Sequence, residues 1–205
     1  MTQARHTKIS RRAFASGAAA AGIAPKAAAL QLRSDAGLSA RHLASAGVTD
    51  VFMCDAAKYS AVCAPLTAMR AFNLRHIRDP EACAAAASAH SLASGAPAML
   101  ILSHAEIDAA SAQLAQSFEA QAPLLILSLG AHRSAVKHGD AAAQESLERF
   151  GQRIVKWQGS ANNAESLPEA LGLALHFANA APRAPVCISL ARDAFDKPRC
   201  GSCSV

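Results

Sequence analysis

Four groups of side chains in this sequence have the types and spacing that chemistry could use. Glu81 follows Pro80 in "RHIRDPEACAAAASAH", at the start of an Ala-rich stretch and just after a short strand-like run. A carboxyl group there can share a proton with a ligand, or it can simply complement the positive end of a helix dipole. Asp55, Lys58 and Tyr59 follow another apolar run and either line the rim of a site or stand as solvated loop residues. Ser103, His104 and Asp108 have the types of a hydrolytic triad. Adjacent Ser and His cannot readily reach each other as nucleophile and base, however, and no G-x-S-x-G elbow is present, so the cluster reads as accidental. Cys54, Cys63, Cys83 and Cys187 lie in apolar surroundings and read as small buried hydrophobes, while Cys200 and Cys203 form a C-x-x-C near the end of the sequence. No second pair with zinc-like spacing accompanies them, and a surface disulfide or a neutral tail is the reading of residues 197–205.

The elements that must position these groups alternate. Helix-like "LSARHLASAG", ending at Gly47, precedes a buried strand "VTDVFMC"; "KYSAVCAPLTAMRAF" reads as helix with Pro65 as an interruption or late first turn, and "NLRHIR" as a strand. "PEACAAAASAHSLASG" has Pro first and Gly last, the usual helix asymmetry, with His90 as a packing residue on its face. "PAMLILS", "EIDAASAQLAQSFEA" and "PLLILSLG" read as strand, helix and strand. A polar, basic loop follows with His132, Arg133, Lys137 and His138, then a helix "AAAQESLERFG", a strand "RIVKWQ", a helix "SLPEALGLALHFANA" capped by Ser166 and a strand "APVCISL". Repeated helix and apolar strand predicts a single α/β domain, doubly wound, with a mostly parallel sheet and helices on both faces. Ligands of such sheets sit beyond the carboxyl ends of the strands. That directs attention to the loops Cys54–Lys58, Arg78–Glu81, Ser103–Asp108 and Gly130–Arg133.

Composition narrows the function classes. The formal charge is +5, but five of the 20 basic residues lie within Met1–Ala29, which contains no acid; the other 15 face all 15 acidic residues. Nucleic-acid binding therefore loses its main support. The leader carries Ser10-Arg11-Arg12-Ala13-Phe14, a weakly apolar Ala/Gly stretch and small residues at Ala27–Ala29. It resembles a twin-arginine export signal, which implies a mature chain beginning near Leu30 and a periplasmic or exported location. The apolar part is too short for a stable membrane span.

The order of segments from residue 38 onward resembles the N-terminal pyrimidine-binding domain of thiamine diphosphate-dependent enzymes, the group of acetolactate synthase and sulfopyruvate decarboxylase. The carrying stretches are "GVTDVF" (Gly47–Phe52), "RHIRDPEACAAAASAHSLASGAPAMLIL" (Arg75–Leu102), "APLLILS" (Ala122–Ser128) and "SLPEALGLALHFANAAPRAPVCISLARDAF" (Ser166–Phe195). The domain implied is residues 30–196. The resemblance implies thiamine diphosphate as cofactor, with Asp55, Glu81, Ser103 and His104 beside it and Glu81 as the catalytic carboxylate. Counting back from "ASGAP" puts Pro80 on the family's Glu position and Glu81 one residue later. Such a slip turns a helical side chain by about 100°, so Glu81 reads first as a helix-start acid and second as a cofactor contact. Ser103-His104-Ala105-Glu106 replaces the family's Gly-Pro-Gly turn, and no Gly-Asp-Gly occurs to hold the diphosphate and Mg²⁺. The resemblance thus implies a diphosphate-binding partner subunit in a homo- or hetero-oligomer. The alternative is an exported, non-catalytic binding or assembly module that keeps only the fold.

Overall fold

The computed structural model describes residues 35–130, 154–161 and 166–190. The expected export leader, the basic loop with His132, Arg133, Lys137 and His138, the helix "AAAQESLERFG" and the Cys200–Cys203 tail lie outside them. In chain order the elements are α1 (Asp35–Ser45), β1 (Asp50–Met53), α2 (Ser60–Met69), β2 (Asn73–His76), α3 (Pro80–Ser94), β3 (Ala98–Ser103), α4 (His104–Ala109), α5 (Ser111–Glu119), β4 (Leu124–Leu129), β5 (Trp157–Ala161), α6 (Leu167–Asn179) and β6 (Val186–Leu190).

The six strands form one sheet in the order β2-β1-β3-β4-β6-β5, and every pairing is parallel. A parallel strand buried on both faces must be apolar at nearly every position. β3 and β4 read AMLILS and LLILSL accordingly. Alternate residues serve opposite layers. Val51, Met53, Ile101, Leu127 and Ile188 meet α1, α2 and α6 on one face, while Phe52, Leu100, Leu102, Ile126 and Cys187 meet α3, α4 and α5 on the other. This two-sided cover is the arrangement the alternating segments predict.

α3 begins at an Asp79 cap whose carboxylate accepts the Ala82 N–H at 2.7 Å, has Pro80 in its first turn and ends at Gly95 with φ +70°. Its buried face is Cys83, Ala84, Ala87, Ser88 and Ser91. Side chains this small let the helix axis approach the sheet closely. The edge strand β2 is mostly exposed, and beside the packing of Leu74 on the core it is held by a polar anchor. Buried Asp50 accepts from Arg75 Nε at 2.7 Å, Thr49 Oγ1 at 2.9 Å and Asn73 Nδ2 at 3.3 Å, and His90 Nε2 on α3 stands 3.3 Å away. The His90 ring also packs on Phe52, consistent with its reading as a packing residue.

Four local expectations differ. The expected helix over "EIDAASAQLAQSFEA" is two helices, α4 and α5, broken at Ala110, and α4 starts directly at His104. Ser103-x-x-Glu106 is a capping box, which starts a helix where the pattern placed a loop. α2 runs through position 65 without interruption. Ser166 already has helical backbone angles, φ −82° and ψ −12°, instead of the extended conformation of a capping serine. β5 starts at Trp157, not at Arg153. Ile154 and Val155 are apolar because they pack under the α3–α5 layer, and the Lys156 N–H bonds Pro185 O outside the ladder.

Candidate functional site

The chain leaves β1 toward β2 on one side of the sheet and returns to β3 on the other. β1 and β3 are therefore neighbours whose connections run to opposite faces, with a crevice beyond their carboxyl ends. The loop after β1 is shaped by Asp55, whose exposed carboxylate accepts the N–H groups of Ala57 at 2.9 Å and Lys58 at 3.2 Å. That turn delivers Lys58 and Tyr59 to the crevice.

Across it, Glu106 on α4 gathers the site. Its Oε2 accepts the Ser103 N–H at 2.7 Å and the Tyr59 hydroxyl; its Oε1 accepts from Lys58 Nζ at 3.1 Å. Lys58 Nζ also donates to Ser103 Oγ at 3.0 Å. Burial alone would raise the Glu106 pKa. The hydrogen bonds from Ser103, Tyr59 and Lys58 outweigh it and hold the carboxyl below its ordinary value. Tyr59, buried and facing that carboxylate, is shifted well upward by desolvation and by its bond to Glu106. The network is thus a lysine, a neutral phenol and a carboxylate locked in its ionised form.

His104 turns the other way. Its ring lies over Gly130 at the end of β4, where an added Cβ would stand 3.3 Å from His104 Cε1. Its buried Nε2 has no hydrogen-bond partner among the described residues, and desolvation lowers its pKa against a small opposing effect of Asp108. Ser103 thus meets Lys58 at this crevice and Asp55 shapes the turn leading into it, whereas His104 faces Gly130 beyond β4. Glu81 stands apart. It is exposed in the first turn of α3, and nothing among the described residues hydrogen-bonds its carboxylate.

The sequence leaves Lys58 and Tyr59 between the rim of a site and a solvated loop, and gives Glu106 no site role. The signal that finds it is the S-x-x-E spacing, which fixes its side chain back toward the end of β3. A groove of about 600 Å³ between α1 and α6, lined by His42, His176 and Asn179 among others, lies at the amino ends of the strands and belongs to no such crevice. No helix of the described residues is long and apolar enough to cross a membrane.

A parallel, doubly wound domain with a crevice at the β1/β3 switch defines a class of nucleotide- and cofactor-binding α/β domains. Within it, the model of the family described as thiamine pyrophosphate enzyme, N-terminal TPP binding domain, matches residues 36–150, and the chain belongs to that family. Among solved structures it is similar to the thiamine diphosphate-dependent 4-hydroxybenzoylformate decarboxylase of Rhodococcus jostii RHA1, at 20% identity and a TM-score of 0.69, covering 79% of this chain and 31% of that one. It is also similar to a Mycobacterium smegmatis protein described as a thiamin diphosphate-dependent enzyme (23%, 0.72, 84% and 33%) and to the benzoylformate decarboxylase of Polynucleobacter necessarius (20%, 0.73, 81% and 31%). At these identities the likeness is one of fold. The chain spans about a third of the length of these structures. No curated protein matches it.

Proposed function

We propose that this protein is a degenerate pyrimidine-domain relative of the 2-oxo acid decarboxylases and acetolactate synthases. It depends on a partner domain for the diphosphate and Mg²⁺ of thiamine diphosphate and does not activate the cofactor itself. Activation needs a carboxyl group in a dry site, free to share its proton with a ring nitrogen. The observation that carries the proposal is the state of two carboxylates, the one at the helix start to which the family resemblance points and the one that stands in the crevice. Glu81 is exposed, one residue past the counted position, and Glu106 already accepts from Tyr59, Lys58 and the Ser103 N–H. The residues present do not fit the activating role. Calorimetric titration of thiamine diphosphate with Mg²⁺ into this chain should give no binding heat. Micromolar binding by the chain alone would overturn the reading.

A second reading, the pyrimidine side of a split 2-oxo acid enzyme, is favoured by the family match over residues 36–150. It requires turnover when a domain bearing Gly-Asp-Gly is supplied, and loss of that turnover in Glu81→Gln. The leader around Ser10–Phe14 supports export of the module, which fractionation of cells expressing the full sequence tests directly.

A further inference from the structure

Glu106 is held by more than its helix start requires. The carboxylate of a capping box needs one partner, the N–H of the capping residue, and the Ser103 N–H supplies it at 2.7 Å. Two further donors come from 47 and 48 positions away, the Tyr59 hydroxyl to Oε2 and Lys58 Nζ to Oε1, the latter at 3.1 Å. The Asp79 carboxylate, which caps α3, accepts only the Ala82 N–H among the described residues. Tyr59 is 2% exposed, the side chains of Lys58 and Glu106 are 31% and 16% exposed, and Glu106 is the one carboxylate that Lys58 pairs with among the described residues. An ammonium, a phenol and a backbone N–H that converge on one carboxylate make the kind of donor set that binds a carboxylate ligand. This one stands beyond the carboxyl ends of β1 and β3, where ligands of such sheets lie. The carboxylate it holds is carried by a small element, for α4 is six residues long and Ile107 is its one buried residue.

We propose that Lys58, Tyr59 and the Ser103 N–H form a receptor for one small carboxylate, and that Glu106 is its built-in occupant, which keeps the site closed to free ligands. A tethered carboxylate has a local concentration that a dissolved one does not match, so the unaltered chain takes up no external carboxylate. Without Glu106, Lys58 loses its counter-charge and the buried Tyr59 hydroxyl its acceptor, and those unpaired groups favour a replacement. Truncation to alanine excises a CH2–COO⁻ group, so the ligand of matching size is a two-carbon carboxylate, acetate in its simplest form. Acetamide offers Lys58 no opposite charge, and chloride cannot present two oxygens to donors that meet Oε1 and Oε2 separately.

The test is the melting temperature of the full-length Glu106→Ala chain in about 100 mM acetate, chloride or acetamide at constant ionic strength and pH 7. Four heavy atoms support a Kd of about 1–10 mM. Acetate should therefore raise the midpoint by roughly 3–10 °C over chloride, and acetamide should not. The unaltered chain should show no such difference, and adding Lys58→Met to Glu106→Ala should abolish it. No acetate effect in Glu106→Ala, an equal effect of acetamide or chloride, an equal effect on the unaltered chain, or an effect that survives Lys58→Met overturns the proposal. Should Glu106→Ala not fold in chloride, recovery of its circular dichroism on refolding in acetate is the expected result, and failure to fold in both salts overturns the proposal.

Discussion

Glu106 and Glu81 have the same functional group and opposite surroundings, and their substitution should separate cleanly. Glu106→Gln removes the ionised acceptor from Lys58 and Tyr59 and leaves the buried phenol imperfectly paired. A loss of about 1–3 kcal/mol in urea unfolding is expected. The same variant tests a pH effect. Because the folded Glu106 pKa lies below its unfolded value, its contribution is present above the unfolded carboxyl pKa and is lost as pH falls through the folded one. The acid-side decline in the urea midpoint should therefore be shallower in Glu106→Gln. Asp50, which burial would raise but Arg75, Thr49 and Asn73 hold below its ordinary value, keeps its own share of that decline. Glu81→Gln, at an exposed first-turn position, should cost no more than about 0.5 kcal/mol. At this scale the sequence is readable only where partners are close along the chain. Ser103 and Glu106 announce a capping box, but Tyr59 meets Glu106 across 47 positions, and no local pattern encodes that.

Helix ends and a single strand carry the next tests. Lys156 Nζ donates to Phe177 O at 3.1 Å and Ala180 O at 2.8 Å, carbonyls that the end of α6 leaves open, and to Pro182 O at 2.9 Å in the loop beyond. Lys156→Met keeps the length but loses all three bonds; a loss of about 1–3 kcal/mol is expected by denaturant unfolding, with earlier amide exchange at the end of α6 than elsewhere. On β5 the Trp157 ring lies over Gly159, where an added Cβ would meet it at 2.2 Å, and stacks on Phe177 at 5.6 Å. Gly159→Ala must push the ring off Phe177, and since Trp157 is the chain's one tryptophan, its emission should shift to the red. Period and punctuation made most of these elements legible: Pro80 and Gly95 bracket α3 as written. The misread boundaries have physical causes. Apolar residues at 154 and 155 serve packing below the sheet, and a lone break at Ala110 leaves no Gly or Pro to mark it.

For the whole molecule, the fold class and the placement of the crevice beyond the strand ends followed from alternation and from the sheet rule, and the family match covers residues 36–150. Which loops meet, and that their own side chains occupy the β1/β3 switch, required the tertiary structure. If the degenerate reading holds, thiamine diphosphate with Mg²⁺ should not shift the melting temperature of this chain, whereas a bound ligand at a hundred times its Kd adds about 2.7 kcal/mol. The strand order has a temporal consequence. Among the described residues β5 has no ladder partner except β6, and β6 also closes the flank of β4. As the chain emerges from the ribosome, the β4 and β5 edges therefore wait for β6 to arrive between them. Until residue 190 is free, the nascent domain exposes those edges to other chains, and a holding chaperone has its clearest target there.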